Sequence, residues 1–135
     1  KIINKIISKN SNNNMFFYDE GVSSLDSFYQ SDLMISDWSG AALEYSFGLK
    51  KPVIFLDLPK KINNPLYKEI NVIPLEVSVR EDIGVVVSVD EITPSLINSL
   101  PYGKMDPKKY VFNIGESDFY GVKYILNTAE DLKKK

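Results

Sequence analysis

The stretch Ser31-Asp32-Leu33-Met34-Ile35-Ser36-Asp37-Trp38-Ser39-Gly40-Ala41-Ala42-Leu43-Glu44 constrains the fold more than any other part of the chain. Leu33-Met34-Ile35 is an almost unbroken apolar run, suited to a strand buried on both faces of a parallel sheet. A polar turn ends it, and a helix from about Gly40 to Phe47 follows at once, with Gly48 placed to close that helix as a left-handed cap. The arrangement sets a helix N-terminus at the mouth of a sheet. Loose backbone N–H groups and the positive end of the helix dipole make such a terminus a seat for phosphate. Glu44 lies four residues after Gly40 on the same helical face and leans back toward that end. A phosphate beside a hydroxyl-bearing group describes a nucleotide.

The remaining segments extend the pattern. Ile2, Ile3, Ile6 and Ile7 fall at helical spacing, as in the end of a helix already under way, so the chain is expected to be a piece of a longer one. Met15-Phe16-Phe17-Tyr18 reads as a short aromatic strand ending at Asp19, and Leu25, Phe28 and Tyr29 as a helix capped by Ser23 or Ser24. Pro52 to Leu56 is a third strand, closed by Asp57. A polar, basic loop spans Lys60 to Asn71, and Gly84 to Val89 is a fourth, β-branched strand. Thr93-Pro94 opens a helix through Leu100, stopped by Pro101-Tyr102-Gly103. After a charged connector from Lys104 to Tyr110, Ser117 or Asp118 caps a final helix past Tyr120, Tyr124 and Ile125.

Strands alternating with helices imply right-handed βαβ units, hence an α/β domain: a Rossmann-like parallel sheet with helices on both faces. Ligands in such sheets collect beyond the carboxyl ends of the strands, where Asp19, Asp37 and Asp57 are expected to converge.

Composition narrows the chemistry. At 135 residues the chain is expected to be one domain. With neither cysteine nor histidine, it lacks thiolate ligands, the commonest zinc ligand and the commonest general base. No metal site and no resident cofactor are expected. Sixteen basic against eighteen acidic residues argue against a nucleic-acid partner. No apolar run approaches a membrane span and the start lacks a signal-peptide core, which points to a cytoplasmic domain.

Each candidate also has a plainer reading. Asp37 or Ser39 serves as an ordinary helix cap, and Glu44 faces water. Trp38 either stacks on a base or anchors the loop against the core. Three aspartates at strand ends are ordinary turn formers as well as oxygen ligands. Lys50-Lys51 and Lys60-Lys61 either neutralise phosphate or are simply solvated. Asn113-Ile114-Gly115-Glu116-Ser117 repeats the turn-to-helix chemistry in weaker form. Gly40 speaks for a ligand, since it costs helix stability unless something approaches the backbone there.

The run SDLMISDWSGAALEYSFGLKKPVIFLDLP resembles the nucleotide-binding, C-terminal half of GT-B-type transferases. Within them it is most similar to the CDP-glycerol glycerophosphotransferases, which build teichoic-acid-like polymers and related surface polysaccharides of bacteria. The pattern is carried by Ser31, Asp32, Ile35, Ser36, Asp37, Trp38, Ser39 and Gly40, then Lys51, Pro52, Val53, Ile54, Phe55 and Asp57. A fainter likeness reaches from Met15 to Leu126 and includes the turn before Ser117.

The resemblance implies that Ser39 and Gly40 face the pyrophosphate of a nucleotide-activated donor, CDP-glycerol, and that Glu44 takes a ribose hydroxyl. Asp37, Trp38, Asp57 and Ser117 complete the expected donor site. It further implies a missing N-terminal domain, a membrane-associated acceptor at the inner face of the membrane, and catalytic histidines that this chain does not contain; residues 1–135 alone are expected to be inactive. A UDP-sugar glycosyltransferase or epimerase of the same architecture is the nearest alternative, and a non-enzymatic flavodoxin-like module, with Asp57 as phosphorylation candidate, is the more distant one.

Overall fold

The structure, a computed structural model, describes residues 1–21, 23–60, 62, 64–100, 102 and 106–133. Lys61, Pro101, Gly103 and Lys104 lie outside the described residues, so the second member of the Lys60-Lys61 pair, two members of the proline-glycine stop and the head of the connector do too. The chain divides into two compact units, Lys1–Asp32 and Leu33–Lys135.

The first unit contains helices α1 (Ile2–Lys9) and α2 (Leu25–Gln30). The strand expected at Met15 to Tyr18 is not formed. Asparagine chemistry supplies the reason: the Met15 N–H donates to Asn13 Oδ1 at 3.0 Å and the Phe16 N–H to the Asn13 carbonyl at 2.9 Å. Those local turns engage the backbone that a ladder would need. Asp19 therefore closes no strand. Its carboxylate accepts from the Gly21 N–H at 2.8 Å and from the Ser27 hydroxyl, and the Ser27 bond, ahead of Gly21, holds its pKa below the ordinary 3.8.

The second unit is α/β. Strands β1 (Met34–Ser36), β2 (Val53–Leu56) and β3 (Gly84–Val87) form a parallel sheet in the order β1-β2-β3, flanked by helices, as in Rossmann-like folds. Between β1 and β2 runs α3 (Ala41–Leu49); between β2 and β3 lie the short α4 (Leu75–Ser78) and α5 (Arg80–Ile83). Burial on both faces belongs to the central strand, where Val53, Ile54 and Phe55 are at most 1% exposed. It does not belong to β1, as its apolar run suggested: β1 stands at the edge of this sheet, and Ile35 is 51% exposed.

Helix α3 seats Ala42, Tyr45 and Ser46 in the core at the i, i+3, i+4 spacing of one helical face. Its left-handed cap is Lys50 (φ 55°, ψ 33°), not Gly48. The two additional residues carry the helix to Leu49, and Phe47 stacks on Tyr110 at 5.7 Å between ring centroids. A non-glycine residue in the left-handed region costs roughly 1–2 kcal/mol. Beyond β3, Thr93 caps α6 (Pro94–Ser99) through the Leu96 N–H, as its Thr-Pro start suggested. The final helix, α7 (Ser117–Lys133), has no buried residue. Among the described residues, no helix is long and apolar enough to cross a membrane.

The connector before α7 is held by Asp82, whose carboxylate accepts from the Tyr110 hydroxyl and from the Lys109 ammonium at 3.2 Å. The Tyr110 bond first, then Lys109, keeps this carboxyl below its ordinary 3.8. A carboxyl lowered in the folded state contributes stability that is complete above the unfolded value and is lost as pH falls through the folded one. Urea midpoints are thus expected to hold level down to about pH 5 and to fall below about pH 4. Asp82→Asn should remove part of that acid slope; Asp19 and Glu91, also lowered, retain the rest. A slope identical in the variant would show that Asp82 does not contribute.

Candidate functional site

Parallel strands deliver their carboxyl ends to one edge, and here that edge carries Asp37 after β1 and Asp57 after β2. Both side chains belong to exposed residues. Trp38 joins the two loops: its indole Nε1 donates to the Leu58 carbonyl at 3.0 Å. The ring is in turn covered by the Arg80 guanidinium, 3.6 Å from its centroid. Arg80 also lies 4.9 Å from the Phe55 ring and donates from Nη2 to the Asp37 carbonyl at 2.7 Å.

Arg80 is the residue that sequence reasoning missed. It is only 5% exposed, and its Nε finds no partner among the described residues. Burial lowers its pKa from the ordinary guanidinium value, and the carboxylates of Asp37 and Asp57 pull it back up. An arginine stays protonated under such a shift, so a fixed positive charge sits beneath the strand ends. One signal was present in the sequence. Of the sixteen basic residues only Arg80 is arginine. Where a chain otherwise uses lysine throughout, a lone guanidinium marks a place that needs a plane able to stack and hydrogen-bond at once.

The start of α3 follows the clamp directly along the chain. Ser39 Oγ accepts from the Ala41 N–H at 3.3 Å, and Gly40 at the cap position is right-handed (φ −62°, ψ −25°). A Cβ added at Gly40 would meet nothing within 4 Å, so the fold itself does not demand glycine there. Glu44 stands exposed in the first turn. Beside Trp38 opens a cleft of about 550 Å³, lined among others by Lys60, Tyr67, Lys68, Asn71 and Glu76. The Lys60 ammonium lies 5.9 Å from the Trp38 ring. A space of this size with mixed aromatic, apolar and cationic walls suits a small organic anion.

The structure thus brings Asp37, Trp38 and Asp57 together around Arg80, with Ser39 and Gly40 next along the chain. Of the two roles open to Trp38, anchoring the loop is visible in the Leu58 bond. Lys50 and Lys51 lead into the opposite, amino end of β2, with Lys51 5.9 Å from the Tyr45 ring. Ser117 begins α7 after a turn with two left-handed residues, Asn113 (φ 53°) and Gly115 (φ 82°). No hydrogen bond among the described residues ties it to the Asp37–Gly40 segment. A separate cleft of about 350 Å³ lies beside it, lined by Gly115, Glu116, Asp118, Phe119 and Tyr120. Among the described residues, no group of three or more metal-ligating side chains is placed to hold an ion. Asp19 belongs to the first unit and is engaged there. Compared with known proteins, the chain matches no family model, no curated protein and no solved structure.

Proposed function

We propose that this chain is the donor-binding, C-terminal part of a bacterial GT-B-type transferase that moves glycerol phosphate, or a related polyol phosphate, from CDP-glycerol to a cell-surface polymer. The observation that carries the reading is the Trp38–Arg80 clamp, which holds the start of a nine-residue helix at the carboxyl edge of a parallel sheet, beside a cleft with two lysines. The resemblance of the Ser31–Pro59 run to that family supports it.

In this reading the N–H groups of Ser39 and Gly40, just ahead of α3, receive the diphosphate. Their dipolar field stabilises charge on the departing nucleotide, and Glu44 accepts from a ribose hydroxyl. Asp37 and Asp57 keep Arg80 charged and oriented, while Lys60 extends positive charge along the cleft. The base that takes the acceptor proton is supplied by another domain of the full protein, which works at the inner face of the membrane. Residues 1–135 bind the donor and do not turn it over.

Calorimetric titration of CDP-glycerol, CDP and UDP into the chain tests this. Binding of the cytidine ligands is expected in the micromolar to millimolar range, with CDP preferred over UDP. Preference for UDP would select a UDP-sugar enzyme, and absence of heat with all three at millimolar concentration would overturn the nucleotide reading. Glu44→Gln is expected to weaken CDP binding about tenfold, roughly one charge-assisted hydrogen bond, with stability unchanged within about 0.5 kcal/mol because the residue is exposed. Equal affinity of variant and parent for CDP would remove Glu44 from the site.

A further inference from the structure

Helix α7 presents a complete apolar stripe that nothing in the described chain buries. Phe119, Val122, Ile125, Leu126, Ala129 and Leu132 recur at steps of three and four and share one side of the helix. Ile125 is 65% exposed, Leu126 59% and Leu132 67%. Tyr124 and Thr128 fall on the opposite side. An exposed stripe of this length marks an interaction surface.

The stripe is symmetric about the midpoint between Ile125 and Leu126. Turned end over end about that point, a second α7 sets Ile125 against Leu126, Val122 against Ala129 and Phe119 against Leu132. The same rotation brings Asp118 of each copy to Lys133 of the other. A parallel, in-register pair would instead set Asp118 against Asp118 and Lys133 against Lys133, and would align the two helix dipoles unfavourably. A surface complementary to itself in both apolar and charge pattern under a two-fold rotation is the signature of an isologous interface. We propose that two copies of this chain associate through α7 as an antiparallel helix pair.

Sedimentation equilibrium of the 135-residue chain from about 5 to 500 µM should show a monomer–dimer equilibrium with its midpoint inside that range, as fits a small interface. Ile125→Glu, in the seam, is expected to raise the midpoint at least about tenfold, and Tyr124→Glu, on the other side, to leave it within about twofold. At low salt, Asp118→Lys and Lys133→Asp should each weaken association about threefold or more, and the double exchange should restore it. Far-ultraviolet circular dichroism checks that each variant keeps its helices.

Direction is read by cross-linking, because the chain has no cysteine of its own. Leu126→Cys lies at the rotation axis and should oxidise to a linked dimer. Phe119→Cys should not, since its counterpart is about 20 Å away in the antiparallel pair. A monomer throughout the range, association indifferent to Ile125→Glu, loss of association in Tyr124→Glu, or equal linking of both cysteines would each overturn the proposal.

Discussion

Gly84→Ala is expected to cost at least about 3 kcal/mol, a large share of the 5–15 kcal/mol that holds a typical domain together. A Cβ built at Gly84 would lie 1.8 Å from the Val53 carbonyl oxygen and 2.7 Å from its carbon. Both atoms belong to the backbone of the central strand, paired with Gly84 in the parallel register, and cannot rotate aside as a side chain would. The sheet must therefore separate where Val53 and Ile54, neither of them exposed, form the core. Gly48→Ala is the matched control. A Cβ there meets nothing within 4 Å inside α3, so the change should stabilise by about 0.5–1 kcal/mol through helix propensity alone. Urea denaturation of the two variants measures both effects. A Gly84→Ala protein within about 1 kcal/mol of the parent would mean that β2 and β3 do not approach so closely.

Arg80→Ala is expected to cost about 2–4 kcal/mol and to weaken CDP binding at least about tenfold. Its guanidinium gives one charge-assisted hydrogen bond to the Asp37 carbonyl and covers two rings. A bond of that kind contributes about 1.5–3 kcal/mol and each cation–π contact about 0.5–2, and the sum is less than additive because the groups share one site. Arg80→Lys should recover less than half of the loss, since an ammonium cannot lie flat on Trp38 while bonding Asp37. Trp38 is the only tryptophan, so its fluorescence reports the clamp directly. A red-shifted emission in Arg80→Ala, with weaker CDP binding, would tie the clamp to the helix start. Lost stability with CDP affinity intact would assign Arg80 to packing alone.

The α/β class was legible because its two signals are local. Apolar runs of strand length bounded by turns, alternating with helical spacing, mark β1, α3 and β2 within a residue or two of where they occur. The Thr93-Pro94 start and the Ser117 start of α7 were equally local, depending on a cap or first-turn chemistry. The strand expected at Met15 to Tyr18 failed for a local reason too: the side chain and carbonyl of Asn13 offered that backbone nearer partners than any ladder could. The cap of α3 falls at Lys50, two residues past the glycine that its local sequence offered.

The candidate site divides along the same line. The residues in the strand–turn–helix run, Asp37 to Gly40 and Glu44, could be named from the chain because the motif is contiguous. Arg80 could not, since its hydrogen bond to Asp37 spans 43 positions. Side-chain type and spacing alone determined the parallel α/β layout and the helix start at the mouth of the sheet, because periodicity and capping act between neighbours a few residues apart. Only the tertiary structure decided which strand is buried on both faces, why Gly84 must be glycine, and that the one arginine lies beneath the one tryptophan. Burial, steric approach and charge pairing depend on distance through space, which the order of residues does not specify.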